Sequence, residues 1–544
     1  MNISWFDFSI IACYFVFIFI ITVRIGRKVS DSDDYFLAGR SMRWPMIGAS
    51  LFATNISAEQ FVGQAGLAVA VGIAVANYQL AGVLGFALMG LIFLPTFIRL
   101  VIKTAPQFLE IRYGIESRKF LSIITILFIG LNAVPLSLYA GGQVMRDMFG
   151  WDSILPGILI LCATTGVYAV IGGLEAVVVT DFLQMFILVI GGFLVLGFGL
   201  HAAGGIDSFL IKMESLKANG GEDMLSLFRP ANHPVIPWTG VVFGLTVHAF
   251  YYCSMNHTIV QRAMAAKSIH QGRMGGLFAG LLKALTVFII VLPGIVGLVL
   301  LKDGFFTTPP ETEDQIYSAM VRSLLPSGLI GLTLSGLVAA LMSSVDSNIC
   351  SASSLITIDW YQPARPKASE KELVKVGRIV GAVIIIMGMI WAIFVIPHFK
   401  FLFDYLAKFN SYSVGGLLAC FIGGLISPYP NRKAGFWTLI IGSVLGLVMW
   451  LIADNNAVNA LAHSMGLGFL DMHFLHGAVF LTVSGFVLLF GISFLTKGDG
   501  AESFADMKST RLTGMEPTVA ENKQFKLWLG IVGVVYVGIY LLFM

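Results

Sequence analysis

Apolar residues run along this chain in blocks of about 20, the length a helix needs to cross roughly 30 Å of hydrocarbon. The blocks fall near 7–25, 45–70, 73–98, 120–146, 153–171, 180–203, 236–256, 274–301, 325–357, 374–397, 401–426, 434–453, 472–495 and 526–543. The pattern predicts an all-α membrane protein with about 14 transmembrane helices. Polar stretches at 205–235 and 302–322 read as the long loops of one side, and no segment is large enough for a separate soluble domain. The first block has no basic region before it and no small-residue cleavage site after it, so it reads as a retained helix rather than a signal peptide.

Charge orients these blocks. One set of alternate loops carries Arg24, Arg27, Lys28, Arg40 and Arg43, then Arg99, Lys103, Arg112, Arg118 and Lys119, then Arg262, Lys267 and Arg273. It continues with Arg365, Lys367, Lys371, Lys375 and Arg378, with Arg432 and Lys433, and with the 497–526 loop. Roughly three-quarters of all Lys and Arg lie in that set, which is therefore expected in the cytoplasm, with both termini on the other side of the inner membrane. Only 12% of the 544 residues are charged and 57% are hydrophobic. A soluble protein carries about 25% charged residues, so most of this surface faces lipid. A net charge of +3 in scattered clusters gives no nucleic-acid footprint. The five cysteines (Cys13, Cys162, Cys253, Cys350 and Cys420) sit singly in apolar stretches and read as small packing residues.

Function is expected where polar groups interrupt the apolar blocks, because an ionised group in hydrocarbon is costly unless paired or hydrated. The second block holds Thr54, Asn55, Ser57, Glu59, Gln60 and Gln64 near its middle. That suits a broken helix whose freed carbonyls line a cavity; the alternative is polar glue between helices. In the ninth block Ser343, Asp346 and Ser347 share a helical face above the carbonyl of Ala340, an oxygen-rich set for a hard cation. Asp181 and Gln184 share a face just inside the start of the sixth block, where an acid could equally serve the helix dipole. Lys283 lies in the eighth block, either facing a cavity or snorkelling to the interface. His248, Tyr251 and Tyr252 crowd the seventh.

With these residues the chain resembles the sodium/solute symporter family, most of all its sodium/glucose–galactose branch. The resemblance runs from Asp34-Tyr-Phe-Leu-Ala-Gly-Arg40 to about residue 426. It rests on Ala49-Ser-Leu-Phe-Ala-Thr-Asn-Ile-Ser-Ala-Glu-Gln-Phe61, Gly172-Gly-Leu-Glu-Ala-Val177 with Thr180-Asp181, Ile259-Val-Gln-Arg262 with Ala265-Ala-Lys267, and Ser343-Ser344. It implies a five-plus-five inverted-repeat core over 31–426 (31–203 and 236–426), each repeat opening on a broken helix. An extra N-terminal helix (1–30) and extra C-terminal helices (427–544) flank the core. It also implies a sodium site on the carbonyls of Ala53, Ile56 and Ala340 and the hydroxyls of Ser343 and Ser344. A second sodium is implied near Asp181, joined here by Asp346 and Ser347. Sugar contacts carry over to Gln60, Lys283 and Tyr252, with Asn55 holding the tyrosine and His248 nearby.

Four positions depart from that branch. Gln79 replaces a glutamate, Gly82 a serine, Ala249 an asparagine and Ala407 a glutamine. The expected function is sodium-coupled symport of a monosaccharide by alternating access, with one or two sodium ions as coupling ions and lipid as surroundings. A neutral sugar is the favoured substrate; an acidic sugar or other small carboxylate is the alternative, since the loss of the glutamate leaves Lys283 without its counter-charge. A transporter-like sensor would need an attached signalling domain, an enzyme a nucleophile–base or metal constellation, and a channel a continuous polar lining.

Overall fold

The computed structural model describes residues 4–56, 58–396, 412, 414–509 and 516–544, the side chains at 58, 59 and 509 excepted. Among them there is no strand, only one bridge between Met42 and Ala266. Among the described residues ten helices are long and apolar enough to cross a membrane, and two shorter apolar ones accompany them. The number of crossings depends on how two bent runs, Gln60–Arg99 and Leu155–Ala202, are divided. It depends also on residues 397–411, which lie outside the described residues.

Helix α1 (Trp5–Gly26) opens with a reciprocal cap. Asp7 N–H donates to Ser4 Oγ at 3.2 Å, and Ser4 N–H donates to the Asp7 carboxylate at 3.0 Å. The other Asp7 oxygen accepts Gly328 N–H and Gly331 N–H, both at 2.7 Å, pinning α1 to the start of a distant helix.

Two interruptions shape the centre. Helix α2 (Trp44–Asn55) stops at Ile56, which is extended (φ −109°, ψ 96°), and α3 (Ala58–Val71) resumes beyond it. Thr54 and Asn55, residue types whose side chains compete with the backbone ladder, end α2 there. After α4 (Asn77–Leu88), α5 (Ile115–Phe149) and α6 (Leu155–Ala202), helix α7 (Thr246–Ser254) ends in the same way. Met255 leaves the helical region, and Asn256 caps α8 (His257–Met264) by accepting Thr258 N–H at 2.9 Å. The end of α8 reaches back to the start of α2: Met42 N–H donates to Ala265 O at 3.1 Å, and Lys267 N–H to Met42 O at 3.0 Å.

Prolines explain several smaller irregularities. Pro95, Pro135, Pro293 and Pro363 each begin a helical piece just after a π turn. A proline supplies no N–H to the preceding turn and crowds its carbonyl, so the ladder widens locally. In α6 the bend is at Gly173 (φ 62°, ψ −164°), where a Cβ would lie 2.7 Å from Tyr35 O. Only glycine fits that backbone and that gap.

The rest of the bundle is α9 (Ile269–Lys302), α10 (Leu329–Ser354), α11 (Glu370–Phe394), α12 (Gly415–Ile426), α13 (Arg432–Asp454), α14 (Phe474–Thr496) and α15 (Val519–Leu542). In the run that contains α10, 89% of an apolar 18-residue stretch is buried, against 17% in α15, so α10 is the axis and α15 lies on the rim. Phe17, Ile190, Val383, Val487 and Val534 face outward, as a lipid-facing belt requires.

Candidate functional site

The axis helix presents its polar residues to the break in α2. Ser343, Asp346 and Ser347 are fully buried, and Ser344 nearly so. Ser344 Oγ donates to Ala340 O at 3.2 Å, which leaves its lone pairs free. Ser343 Oγ is buried without a hydrogen-bond partner among the described residues, as is one oxygen of Asp181. The two belong to one cluster, since the Ser343 hydroxyl faces the Asp181 carboxylate without hydrogen-bond geometry. The protein itself satisfies these two oxygens at best weakly, and a bound cation would engage them. Ala53 and Ile56 flank the interruption and are fully buried.

Around these oxygens lies a charge cluster. Asp181 Oδ2 accepts from Ser50 Oγ at 2.5 Å and lies 3.8 Å from Arg262 Nε. Arg262, held by α8, also donates to Thr258 O at 2.6 Å and to the hydroxyl of Ser347. Ser347 Oγ stands 3.1 Å from Asp346 Oδ1 and 3.0 Å from Thr54 Oγ1. Tyr168 of α6 donates to the second Asp346 oxygen. Two carboxylates thus share one guanidinium at zero side-chain exposure for the Asp181–Arg262 pair. If both acids are ionised the cluster is one positive charge short, an arrangement that burial makes costly.

Arg262 was grouped with the loop residues by the charge pattern. The structure corrects this: α8 folds back into the core, and every residue of α8 is buried. Sequence reasoning also missed Tyr168, Ser50 and Thr54 as partners, and it did not foresee that Gln184 would be taken by Tyr14 of α1 at 2.8 Å.

A second polar group lies between α3, α4 and α9. Lys283 does not snorkel: it is 4% exposed and donates to Gln79 Oε1 at 2.6 Å. Gln79 Nε2 donates onward to Gln60 Oε1 at 2.9 Å and Gln64 Oε1 at 2.7 Å. Gly82 makes room for the lysine, since a Cβ there would lie 2.7 Å from Lys283 Cδ. His248 stacks nearly parallel to Tyr252, centroids 6.2 Å apart, and its Nδ1 is buried without a partner among the described residues. The same holds for Asn55 Oδ1. The Glu59 side chain and Ala407 lie outside the described residues.

Next to this group opens a vestibule of about 890 Å³, reaching Val62, Gly63 and Tyr78 on one side and Glu311–Gln315 and Asp471–Phe474 on the other. It faces the end of the bundle that carries the 303–328 loop. Its wall includes Asp314, which is exposed as a residue while one carboxyl oxygen seats against Gly66 of α3. Desolvation, then Glu313, push that carboxyl up to about 6. The charge-rich loops carry half-exposed ion pairs such as Lys103–Asp33 (2.5 Å) and Arg432–Asp499 (2.8 Å).

Comparison with known proteins gives this geometry a setting. Residues 35–442 match the Sodium:solute symporter family. The human sodium/myo-inositol cotransporter 2 is 35% identical over 471 residues, 81% of this chain and 69% of the relative. The pig sodium/glucose cotransporter 1 is 32% identical over 527 residues, 90% of this chain and 79% of the relative. Among solved structures, a Na+-coupled sialic acid symporter in a substrate-bound outward-open state superposes with a TM-score of 0.78 at 20% identity. It covers 90% of this chain and 98% of its own, a likeness of fold.

Proposed function

Because this chain belongs to the sodium:solute symporter family, we propose that it carries a monosaccharide or a polyol of similar size across the cytoplasmic membrane, driven by sodium and by alternating access. It is a multi-pass membrane transporter and not an enzyme. The observation that carries the substrate reading is the chain of side-chain hydrogen bonds from Lys283 through Gln79 to Gln60 and Gln64, beside an open vestibule. A hydroxylated solute is recognised by such convergent donors and acceptors. The names of the relatives, cotransporters of glucose and of myo-inositol, point the same way. Tyr252 and His248 form the aromatic wall of the pocket, and Asn55 steadies it.

Sodium binds at the α2 break, on the carbonyls of Ala53, Ile56 and Ala340 and the hydroxyls of Ser343 and Ser344. These five oxygens carry no full charge, so affinity is modest and the ion can leave. A second cation sits at Asp181, Asp346 and Ser347, where the shortage of positive charge supports it; a proton shared by the two acids is the competing reading. The inverted-repeat core spans 31–203 and 236–426, flanked by 1–30 and 427–544. By the distribution of Lys and Arg, both termini lie on the extracytoplasmic side, and the vestibule opens outward.

Reversal potentials measured in proteoliposomes at several sodium gradients test the coupling. Two sodium ions per solute support the second site. A one-to-one ratio removes it and leaves the Ser343–Ser344 site intact.

A further inference from the structure

The direction of the hydrogen bonds beside the vestibule is set by Lys283. An ammonium has donors only, so the amide group of Gln79 must turn its oxygen to Lys283, and that contact is 2.6 Å. Its NH2 group then points at Gln60 and Gln64, and both must answer with oxygen, at 2.9 and 2.7 Å. No freedom of amide flipping remains. The NH2 groups of Gln60 and Gln64 are left over, and neither donates to a protein group among the described residues. One residue thus polarises the whole row, and the groups it leaves without a protein partner are donors: the remaining protons of an ammonium and two amide NH2 groups.

The charge balance agrees. Two other buried cations in the core stand against acids, Arg118 with Asp359 at 2.8 Å and Arg262 with Asp181, while the buried Arg112 has three oxygens instead, the carbonyls of Gly424 and Ser427 and the hydroxyl of Ser503. Lys283, among the described residues, has only the neutral Gln79. A buried ammonium with one amide for company is under-compensated, and its proper partner is an anion able to accept several hydrogen bonds.

Resting on the sugar-symport reading above, we propose that the solute is an acid sugar, a monosaccharide-sized polyol with one carboxylate, such as a uronate or an aldonate. The carboxylate takes protons from Lys283 and from the amide NH2 groups of Gln60 and Gln64. The unpartnered Nδ1 of His248 is left for a hydroxyl. The mouth does not make this selection. Asp147, Glu311, Glu313, Asp314 and Asp471 outnumber the single Arg146 there, so the preference for an anion arises at the amide row behind it.

Gln79 is the specificity-determining position. A glutamate in its place would neutralise Lys283 and accept from Gln60 and Gln64, turning their oxygens outward and making the row neutral and mixed. The test is competition against sodium-driven uptake by purified protein in proteoliposomes, with glucuronate, galacturonate and gluconate set against glucose, galactose and myo-inositol. The acids are expected to compete at least tenfold more strongly than the neutral solutes. Gln79→Glu is expected to reverse that order while remaining monodisperse and sodium-dependent. Glucose or myo-inositol competing while the acids fail would overturn the proposal and leave sodium–sugar symport standing. Wild-type protein that takes up neither class in a sodium gradient would overturn both. Should Gln79→Glu fail to fold, thermal shifts of the wild type with each solute decide alone: stabilisation by the acids upholds the proposal, and stabilisation by neutral solutes only ends it.

Discussion

Replacing Arg262 by glutamine removes the only cation that the described residues place against Asp181 and Asp346. The arginine is fully buried, 3.8 Å from the Asp181 carboxylate through Nε, and bonded to Thr258 O and to Ser347. Removing one partner of a buried pair costs about 3–5 kcal/mol, at least a hundredfold in the ratio of folded to unfolded protein. Glutamine keeps part of the volume and some hydrogen bonding, so the loss is mainly one of charge. Two consequences distinguish this from a packing defect. Sodium should restore stability to the variant more than to the wild type, because the vacated charge is one a cation can supply; a concentration one hundred times the dissociation constant returns about 2.7 kcal/mol. The double variant Arg262→Gln with Asp181→Asn should be more stable in choline buffer than Arg262→Gln alone. Thermal unfolding of detergent-solubilised protein in matched sodium and choline buffers reads both effects. Equal stability of wild type and Arg262→Gln in choline, or a double variant no better than the single one, refutes the reasoning.

Ser344→Ala should raise the sodium concentration for half-maximal uptake at least tenfold without changing the elution profile, as it removes one oxygen donor and no helix hydrogen bond between backbone groups. Gly173→Ala should lower folded yield, since strain in that backbone region costs about 1–3 kcal/mol and Tyr35 blocks the new methyl; Gly197→Ala, with nothing within 4 Å, is the matched neutral control. The carboxyl of Asp314 is raised in the folded protein above its ordinary value of 3.8, so the folded state holds the extra proton and seating on Gly66 tightens as pH falls through about 6. Hydrogen exchange of 312–316, corrected for the intrinsic rate, should therefore slow below pH 6 in the wild type, while Asp314→Asn should be slow at both pH 5 and pH 7.5.

Much of the architecture was legible because hydrocarbon allows few choices. Blocks of apolar residues had to be helices, and the crowd of polar side chains at Thr54–Gln64 had to mark a place where a helix gives way. The Ser343–Ser344 pair and Asp346 announced themselves by polarity in an apolar run. Arg262 did not, because counting basic residues by loop cannot see a short helix such as α8 turning back into the bundle. Nor could the row of amides be read. The sequence shows Gln60, Gln64, Gln79 and Lys283 as separate polar residues, and only their juxtaposition across three helices reveals that the lysine sets the direction of every bond. Gly82 has the same character: its missing side chain matters because Lys283 fills the space.

Sodium-driven accumulation tests the central claim most directly. Purified protein in proteoliposomes, given an inward sodium gradient and a labelled hexose, hexuronate or inositol, should concentrate at least one of these solutes above its external level. Accumulation should vanish when choline replaces sodium or when the gradient is collapsed. Uptake that proceeds equally without sodium, or that never exceeds equilibration, would contradict sodium-coupled symport.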